Sequence, residues 1–400
     1  MAEKNILYLS WQGGLGHITR DVAIAKELHR LSPHLNVSWI AHPLARKVLE
    51  QAGETILPES RLSADYNRAA ADCIEEFGLN LMHYVKATRK PYVQNVGLFS
   101  QVMSGYNFDL VIGDESYEVV RALGRGEVKL QCPMIIIEDF VGIEATTHNP
   151  LEKLGVHMRN RSWARYTERL EPQVTHFFVG EPEDIVDRPF GLGLPNRRQF
   201  ARDHYRFLGY IIPFNPDEYA DKSGMKTKLG YDQTPLLICS TGGTCAGKEL
   251  LELCGKAYTL LKAEVPDLHM VCVCGELFGY DRPTLPPEVE LHSFIPDLYQ
   301  HYAACDMAVV VGGGTTTVEL TALRRPFIFF PLENQFDQQL YVAERLARHR
   351  AGIRMKYDQT TPKSLAATIL ANIGKDVDHV RIPADGARTA ARYIAELLSK

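Results

Sequence analysis

A histidine in a glycine-rich turn is the first residue of this sequence that could do chemistry. In LYLSWQGGLGHITR, His17 follows an apolar run and the glycines Gly14 and Gly16, and a helical pattern continues after it. A histidine at a strand-to-helix turn can accept a proton near neutral pH, although it can also cap the helix or bind an anion. A base histidine usually holds a carboxylate on its other ring nitrogen, and we expect Asp114 in FDLVIGDESYE to be that carboxylate. The alternative carboxylates are Glu115, Glu118, Glu138 and Asp139.

The glycines of this turn also fit part of a dinucleotide fingerprint, which the rest of the sequence disfavours. Thr19 stands at the third position of the G-x-G-x-x-G pattern, where such a site has Gly or Ala. The next predicted strand, NVSWIAH, ends in Ala41 and His42 and lacks the acid that would bind a ribose. The glycines therefore indicate only that something approaches the backbone closely at the start of this helix.

A second glycine-rich turn, in MAVVVGGGTTTVEL, predicts an anion site at the start of a helix. An apolar strand runs into Gly313 and Gly314, and Thr315 and Thr316 follow. The free N–H groups of a helix N-terminus favour a phosphate, and the threonine hydroxyls can add hydrogen bonds. Glu319 comes about one turn later, where it could accept hydrogen bonds from two ribose hydroxyls or simply complement the helix dipole.

Two further strand ends carry polar or glycine residues. In PLLICSTGGTCAGKEL, the P-loop pattern fails because Glu249 stands where Ser or Thr would ligate magnesium, which leaves a turn at Gly242 and Gly243 that could meet an anion. After the strand PFIFFP, a cluster of amides and a carboxylate is suited to sugar hydroxyls, although a solvated helix start is an equal alternative. That cluster consists of Asp337, Gln338 and Gln339.

Alternating apolar runs and amphipathic helices predict an α/β protein with parallel sheets. The pattern pauses in RFLGYIIPFNPDEY and then starts again, so we expect one domain at residues 1–213 and a second at 214–400. The last helix, DGARTAARYIAELLSK, could pack against either domain. Ligands of such sheets bind outside the carboxyl ends of the strands, so we expect the loops of two Rossmann-like domains to face a shared cleft.

Composition narrows the class of protein further. The chain has 400 residues and a formal charge of −5, which gives no reason to expect a nucleic-acid partner. No apolar run has the length of a membrane span, and the start of the chain is too polar for a signal peptide. The eight cysteines form no CxxC pair and predict reduced core residues. We expect a cytoplasmic protein.

Together these loops resemble those of the GT-B nucleotide-sugar glycosyltransferases, in particular the UDP-glycosyltransferase superfamily and the lipid II-forming N-acetylglucosaminyltransferases. The resemblance is most specific over residues 294–346 and at GGLGHITRDVAIAKEL. It implies that His17, assisted by Asp114, is the base of an inverting sugar transfer beside the loop of Gly14 and Gly16. The implied contacts to the donor nucleotide and its phosphates are Gly242, Gly243, Phe294, Ile295, Gly313, Gly314, Thr315, Thr316 and Glu319, and those to the donor sugar are Asp337, Gln338 and Gln339.

The resemblance implies an N-terminal acceptor domain, a C-terminal donor domain, no cofactor and no metal. The one D-x-D, at Asp376 and Asp378, does not follow a strand. UDP is the expected nucleotide, with dTDP and GDP as alternatives. A UDP-sugar 2-epimerase and a nucleotide-sugar-binding regulatory pseudoenzyme are the alternative functions. The acceptor could be a small molecule, a glycan or a lipid. The arginines of HMRNRSWARYTERL could make a peripheral membrane contact, or they could belong to a solvated helix.

Overall fold

The computed structural model describes residues 3–10, 14–64, 73–75, 77–79, 83, 86–242, 247–275 and 282–399. The chain divides into two compact units, of which the first comprises residues 1–73, 81–213 and 383–400. The second comprises residues 74–80 and 214–382. The division falls between Pro213 and Phe214, but neither unit is the continuous segment that we expected.

The first unit contains a parallel sheet of seven strands. These are β1 (Lys4–Ser10), β2 (Leu35–Ala41), β3 (Thr55–Ile56), β6 (Leu110–Asp114), β7 (Met134–Glu138), β8 (Val174–Phe178) and β9 (Tyr205–Phe207). Their order in the sheet is β3-β2-β1-β6-β7-β8-β9. Its helices are α1 (Leu15–Leu31), α2 (Pro43–Ala52), α3 (Arg89–Gly105), α4 (Tyr117–Arg125), α5 (Pro150–Leu170), α6 (Arg197–His204) and α13 (Gly386–Leu398), with 3₁₀ turns at Pro58–Leu62 and Pro182–Asp184.

The second unit contains a parallel sheet of six strands in the order β12-β11-β10-β13-β14-β15, and a short antiparallel hairpin of β4 and β5. Its strands are β4 (Ile74–Glu75), β5 (Gly78–Leu79), β10 (Leu236–Ser240), β11 (His269–Val273), β12 (Glu290–His292), β13 (Met307–Val311), β14 (Phe327–Phe330) and β15 (Ile353–Arg354). Its helices are α7 (Lys222–Leu229), α8 (Lys248–Glu264), α9 (Leu298–Ala304), α10 (Gly314–Ala322), α11 (Ala343–Arg348) and α12 (Pro362–Asn372), with a π-helix at Asp337–Val342 and 3₁₀ turns at Pro216–Tyr219 and Tyr357–Gln359.

The last helix belongs to the first unit because its apolar face completes that unit's core. Ala390, Ala391 and Ile394 of α13 are fully buried and join the core that contains Ile24 and Leu28 of α1. The amphipathic sequence predicted the helix, but only the packing shows which core it covers.

Parallel sheets with helices on both faces explain the apolar runs of the sequence. Every residue of β6 and β7 is buried, so these strands are continuously apolar up to the acids at their carboxyl ends. In the first unit the order of the strands along the sheet reverses between β1 and β6, and in the second unit it reverses between β10 and β13. Such a reversal separates the loops that follow two neighbouring strands and leaves room for a ligand.

These two parallel-sheet units confirm the predicted α/β class with two Rossmann-like domains. Within the described ranges, no helix is both long enough and apolar enough to cross a membrane.

Candidate active site

In the first unit, the point of strand reversal brings His17 and Asp114 together. Leu9 of β1 pairs with Gly113 of β6, so the loop after β1 and the end of β6 are neighbours. Gly14 enters α1 with a φ of 95°, a left-handed conformation that glycine adopts without strain, and it places His17 in the first helical turn. The Nδ1 atom of His17 lies 3.0 Å from Oδ1 of Asp114.

Arg20 is a central residue of this site that the sequence analysis missed. Its guanidinium binds both carboxylate oxygens of Asp114 at 2.6 Å, and its remaining terminal nitrogen binds Oδ2 of Asp139 at 3.1 Å. The side chain of Arg20 is only 6% exposed. Arg20 stands three residues after His17, and residues at that spacing share one face of a helix, so the spacing was the available signal.

The acids that the sequence offered as alternatives have separate places. Glu115 lies on the other side of the imidazole, with one carboxylate oxygen 3.9 Å from Nε2 of His17. Asp139 contacts Arg20, whereas Glu138 pairs with His176. Glu118 is buried in α4. Asp114 is therefore the carboxylate that holds Nδ1 of His17, as expected.

The charges of the site favour an ionised Asp114. Burial alone would raise its pKa, but Arg20 and His17 outweigh burial and hold the pKa of Asp114 well below its usual range. The pKa of Asp139 falls to about 2, because hydrogen bonding from Glu115 and the charge of Arg20 overcome its burial. Burial and the charge of Asp139 instead raise the pKa of Glu115. The guanidinium of Arg20 thus favours the ionised forms of Asp114 and Asp139. The neighbouring Glu115 is instead biased toward its neutral form.

The Nδ1 atom of His17 has two polar neighbours. A terminal nitrogen of Arg20 lies 3.0 Å from Nδ1 and also donates to Oδ1 of Asp114 at 2.6 Å. An Nδ1–H group would donate to the ionised carboxylate, whereas a bare Nδ1 would accept the second hydrogen of that nitrogen. The tautomer with the hydrogen on Nδ1 leaves Nε2 able to accept a proton, as a base role of His17 requires.

In the second unit, the strand reversal places the two glycine-rich turns on neighbouring strands. Ser240 of β10 pairs with Val310 of β13, so the turn at Gly242 lies beside the one at Gly313. Gly242 has a φ of 72°, and Gly243 lies outside the described residues. Gly313 precedes α10 with open space where a side chain would be, which leaves its backbone approachable.

The hydroxyls near the start of α10 have different roles. Thr317 donates to the backbone carbonyls of Gly313 and Gly314, so its hydroxyl is used within the helix. Thr315 and Thr316 are half-buried residues of the first turn. Arg345, which the sequence analysis did not single out, donates to the carbonyl of Gly314 at 3.1 Å.

Glu319 is a buried carboxyl group in α10. The residue is 8% exposed, and burial raises its pKa to about 8. No residue in the described ranges forms a hydrogen bond or an ion pair with its side chain. Close by, the hydroxyl of Tyr302 lies 2.6 Å from Oγ of Ser240 and also contacts Thr316. Tyr302 therefore links the end of β10 to the first turn of α10, and sequence reasoning gave it no role.

The cluster after β14 is mostly engaged in local bonds. Oε1 of Gln338 accepts from the backbone of Leu332 at 2.9 Å, and Gln338 is buried. Gln339 donates to two backbone carbonyls and accepts from Arg354 at 2.6 Å. Asp337 accepts from Gln335 at 3.4 Å. A role of these three residues in binding a sugar stays a prediction.

Phe294 and Ile295 follow β12 and precede α9. Phe294 is 37% exposed, whereas Ile295 packs partly against a core of the second unit. The exposed ring and the neighbouring backbone are accessible to a flat ligand, in keeping with the predicted nucleobase segment, but this contact also stays a prediction.

Comparison with known proteins supports the same class. Residues 237–381 match the sequence model of the glycosyltransferase family 28 C-terminal domain. An uncharacterized glycosyltransferase of Methanopyrus kandleri is 25% identical over 194 residues, which are 48% of this chain and 54% of that protein. The UDP-N-acetylglucosamine–N-acetylmuramyl-(pentapeptide) pyrophosphoryl-undecaprenol N-acetylglucosamine transferase of Streptomyces coelicolor is 22% identical over 365 residues, which are 90% of this chain and 87% of that enzyme.

Solved structures show the same architecture over the whole chain. The glycosyltransferase of kitacinnamycin superposes with a TM-score of 0.64 at 15% identity, covering 100% of both chains. Its fold is that of the GT-B glycosyltransferases, and the matched family 28 domain lies within its second unit. The resemblance to the lipid II-forming N-acetylglucosaminyltransferases is confirmed. The match to the uncharacterized glycosyltransferase of Methanopyrus kandleri spans only about half of that protein's length.

Proposed function

We propose that this chain transfers a sugar from a UDP-sugar to an acceptor hydroxyl, with inversion at the anomeric carbon and without a metal ion. The observation that carries the proposal is the pairing of His17 with the ionised Asp114. A carboxylate on Nδ1 orients the ring and stabilises the imidazolium that forms when Nε2 takes a proton. The relative from Streptomyces coelicolor is named for a UDP-N-acetylglucosamine donor, so this donor is the first to test.

The proposed reaction is a single displacement. The acceptor oxygen attacks the anomeric carbon opposite to the diphosphate, a new carbon–oxygen bond forms, and the bond to the phosphate oxygen breaks. The acceptor proton moves to Nε2 of His17, and UDP leaves with the bonding electrons. The N–H groups at Gly313 and Gly314 and the hydroxyls of Thr315 and Thr316 would stabilise the charge that develops on the diphosphate.

Binding of UDP should be independent of divalent metal, because in this proposal the diphosphate is held by helix N–H groups and hydroxyls. Titration calorimetry should give the same UDP affinity with EDTA and with added Mg²⁺. Parallel titrations with dTDP and GDP test the nucleobase, and we expect UDP to bind most tightly. An affinity that appears only with Mg²⁺ would contradict the proposed phosphate site.

Glu319→Gln should weaken UDP binding by about tenfold or more, since the carboxylate would lose charged hydrogen bonds to the ribose. Only the ionised carboxylate accepts from both hydroxyls, and the pKa of Glu319 is about 8. The affinity of the native protein should therefore rise as pH increases through about 8 and level off about one pH unit above that, in a range where the phosphates are already ionised. This rise should be absent in the variant. A native affinity that is flat across this range would contradict the role of Glu319.

The substitution Glu319→Gln should stabilise the folded protein although it weakens UDP binding. A measurement of stability therefore tests the same carboxyl group independently. Because the pKa of Glu319 is raised from 4.5 to about 8 by folding, its contribution to stability is present below pH 4.5 and is lost as pH rises through about 8. A glutamine at this position does not ionise, so the variant does not lose stability as pH rises. We therefore expect Glu319→Gln to raise the melting temperature at pH 8 while it lowers the affinity for UDP.

A further inference from the structure

A separate cavity of about 340 Å³ lies between α4 and α5 in the first unit, and we refer to it as the α4–α5 cavity. None of the residues proposed to act in sugar transfer lines it. Its lining includes three aromatic and three arginine side chains, which are Tyr117, Trp163, Tyr166, Arg121, Arg125 and Arg159.

The aromatic residues form a packed apolar wall. The rings of Tyr117 and Trp163 are tilted against each other with centroids 5.0 Å apart. Gly124 of α4 lets the ring of Tyr166 approach the helix, since a Cβ at this glycine would lie 2.5 Å from the ring. This wall is suited to a flat apolar group.

Two buried polar atoms lack partners at this cavity. His176 is 97% buried, and its Nδ1 is 2.6 Å from Oε2 of Glu138. In the described part of the chain, neither Nε2 of His176 nor the hydroxyl of Tyr117 has a hydrogen-bond partner. Buried polar atoms are almost always hydrogen-bonded. Both residues line the cavity, so these atoms indicate a ligand with a polar group.

The charge of the lining favours an anion. The lining holds three arginines and one carboxylate, that of Glu138, which already accepts from His176 and Tyr205. Of the arginines, Arg125 pairs with Glu127 outside the lining at 3.5 Å. The guanidinium of Arg121 lies 5.2 Å from the ring centroid of Tyr92, and no carboxylate of the described residues forms an ion pair with it. An anionic group would therefore find arginine donors at this cavity.

We propose that the α4–α5 cavity binds a small organic anion with a flat apolar body, such as an aryl phosphate or an aryl carboxylate. The aromatic wall would hold the body, and the arginines, together with His176 and Tyr117, would hold the polar end. The proposal does not depend on sugar transfer, because none of these residues has a role in it.

Gly155 offers a position where a larger side chain can be added at the cavity. It lines the cavity on α5, and no atom lies within 4 Å of the position its Cβ would take. Leucine is also a better helix former than glycine, so Gly155→Leu should fold. Gly97 on α3 is the matched control, because it is another helical glycine with open space and it does not line the cavity.

Ligand-observed NMR or calorimetry with phenyl phosphate tests the proposal. The native protein and Gly97→Leu should bind it saturably with a dissociation constant of about 1 mM, as expected for so small a ligand. Gly155→Leu should bind at least about tenfold more weakly while keeping the native melting temperature or a higher one. Inorganic phosphate and phenol, which each carry half of the ligand, should both bind more weakly than phenyl phosphate.

Arginine variants test the charge. Arg121→Gln should weaken phenyl phosphate binding by about tenfold, whereas Arg165→Gln, on an exposed arginine of α5 outside the cavity lining, should leave it unchanged. Equal binding to native protein and Gly155→Leu would overturn the proposal, since the ligand would then lie elsewhere. Absence of saturable binding to the native protein would overturn it as well.

Discussion

Replacing His17 with glutamine should lower turnover by about 10²–10⁴-fold, because that is the typical contribution of a positioned acid–base group. Glutamine preserves the size and polarity of the side chain but cannot take a proton. The measurement is release of UDP from a UDP-sugar, with water or an added alcohol as acceptor. UDP affinity should stay at the native value, since His17 belongs to the first unit and the proposed donor contacts belong to the second.

His29 supplies a matched control for this experiment. It lies in the last turn of the same helix, with its side chain 39% exposed and 3.5 Å from Glu54. His29→Gln should therefore leave turnover unchanged. An unchanged rate of UDP release in His17→Gln would remove the histidine from the mechanism, whereas a loss of UDP affinity in that variant would show that it binds the donor.

Much of the first site could be predicted because its residues stand at strand ends. Parallel strands bring their carboxyl ends to one edge of a sheet, so a histidine after β1 and an aspartate ending β6 were expected to be close. Arg20 was harder to find, since in the sequence it is one more polar position in an amphipathic helix. Its role follows from burial beside two carboxylates, which depends on the packing of α1 over the sheet.

Neighbouring acids could not be sorted from the sequence for a related reason. Glu138 and Asp139 are adjacent, yet one pairs with His176 on β8 and the other contacts Arg20 on α1. Side chains of successive residues in a strand point to opposite faces, and at a strand end a one-residue shift exchanges their partners. The bounds of β7 decide which acid faces which partner, and such bounds are the least predictable feature of a strand.

The second site shows the same limit in its threonines and glutamines. Their types predicted contacts to phosphate and sugar, but Thr317 and Gln339 use their polar atoms on nearby backbone carbonyls. Side chains of these types can bond to the local backbone or to a ligand with similar energies. Only the geometry distinguishes the two uses, and it leaves Glu319 as a buried carboxyl group of this site whose pKa is raised by burial alone.

Arg20→Met should lower the free energy of unfolding of the first unit by about 3–5 kcal/mol, the usual cost of removing one partner of a buried ion pair. Methionine fills a similar volume, but Asp114 and Asp139 would then be buried without the guanidinium that keeps them ionised. All three tryptophans, at positions 11, 39 and 163, fall in the first unit, so urea unfolding followed by tryptophan fluorescence reports on that unit selectively.

Two comparisons separate loss of charge from loss of packing in this variant. Arg30→Met, on an exposed arginine of the same helix paired with Glu27, should cost less than about 1 kcal/mol. In the double variant Arg20→Met with Asp114→Asn, part of the lost stability should return, because one of the unpaired charges is gone.

The pH dependence of the Arg20→Met deficit follows from the carboxyl groups. In the native protein the pKa values of Asp114 and Asp139 are lowered, so their contribution to stability is present above pH 3.8, the usual pKa of an aspartate, and is lost as pH falls through the lowered values. Without Arg20, burial would raise both pKa values, and the groups would become neutral at mildly acidic pH. The deficit should therefore be largest near pH 7 and shrink toward pH 4, whereas a deficit that stays constant with pH would attribute the effect of Arg20 to packing alone.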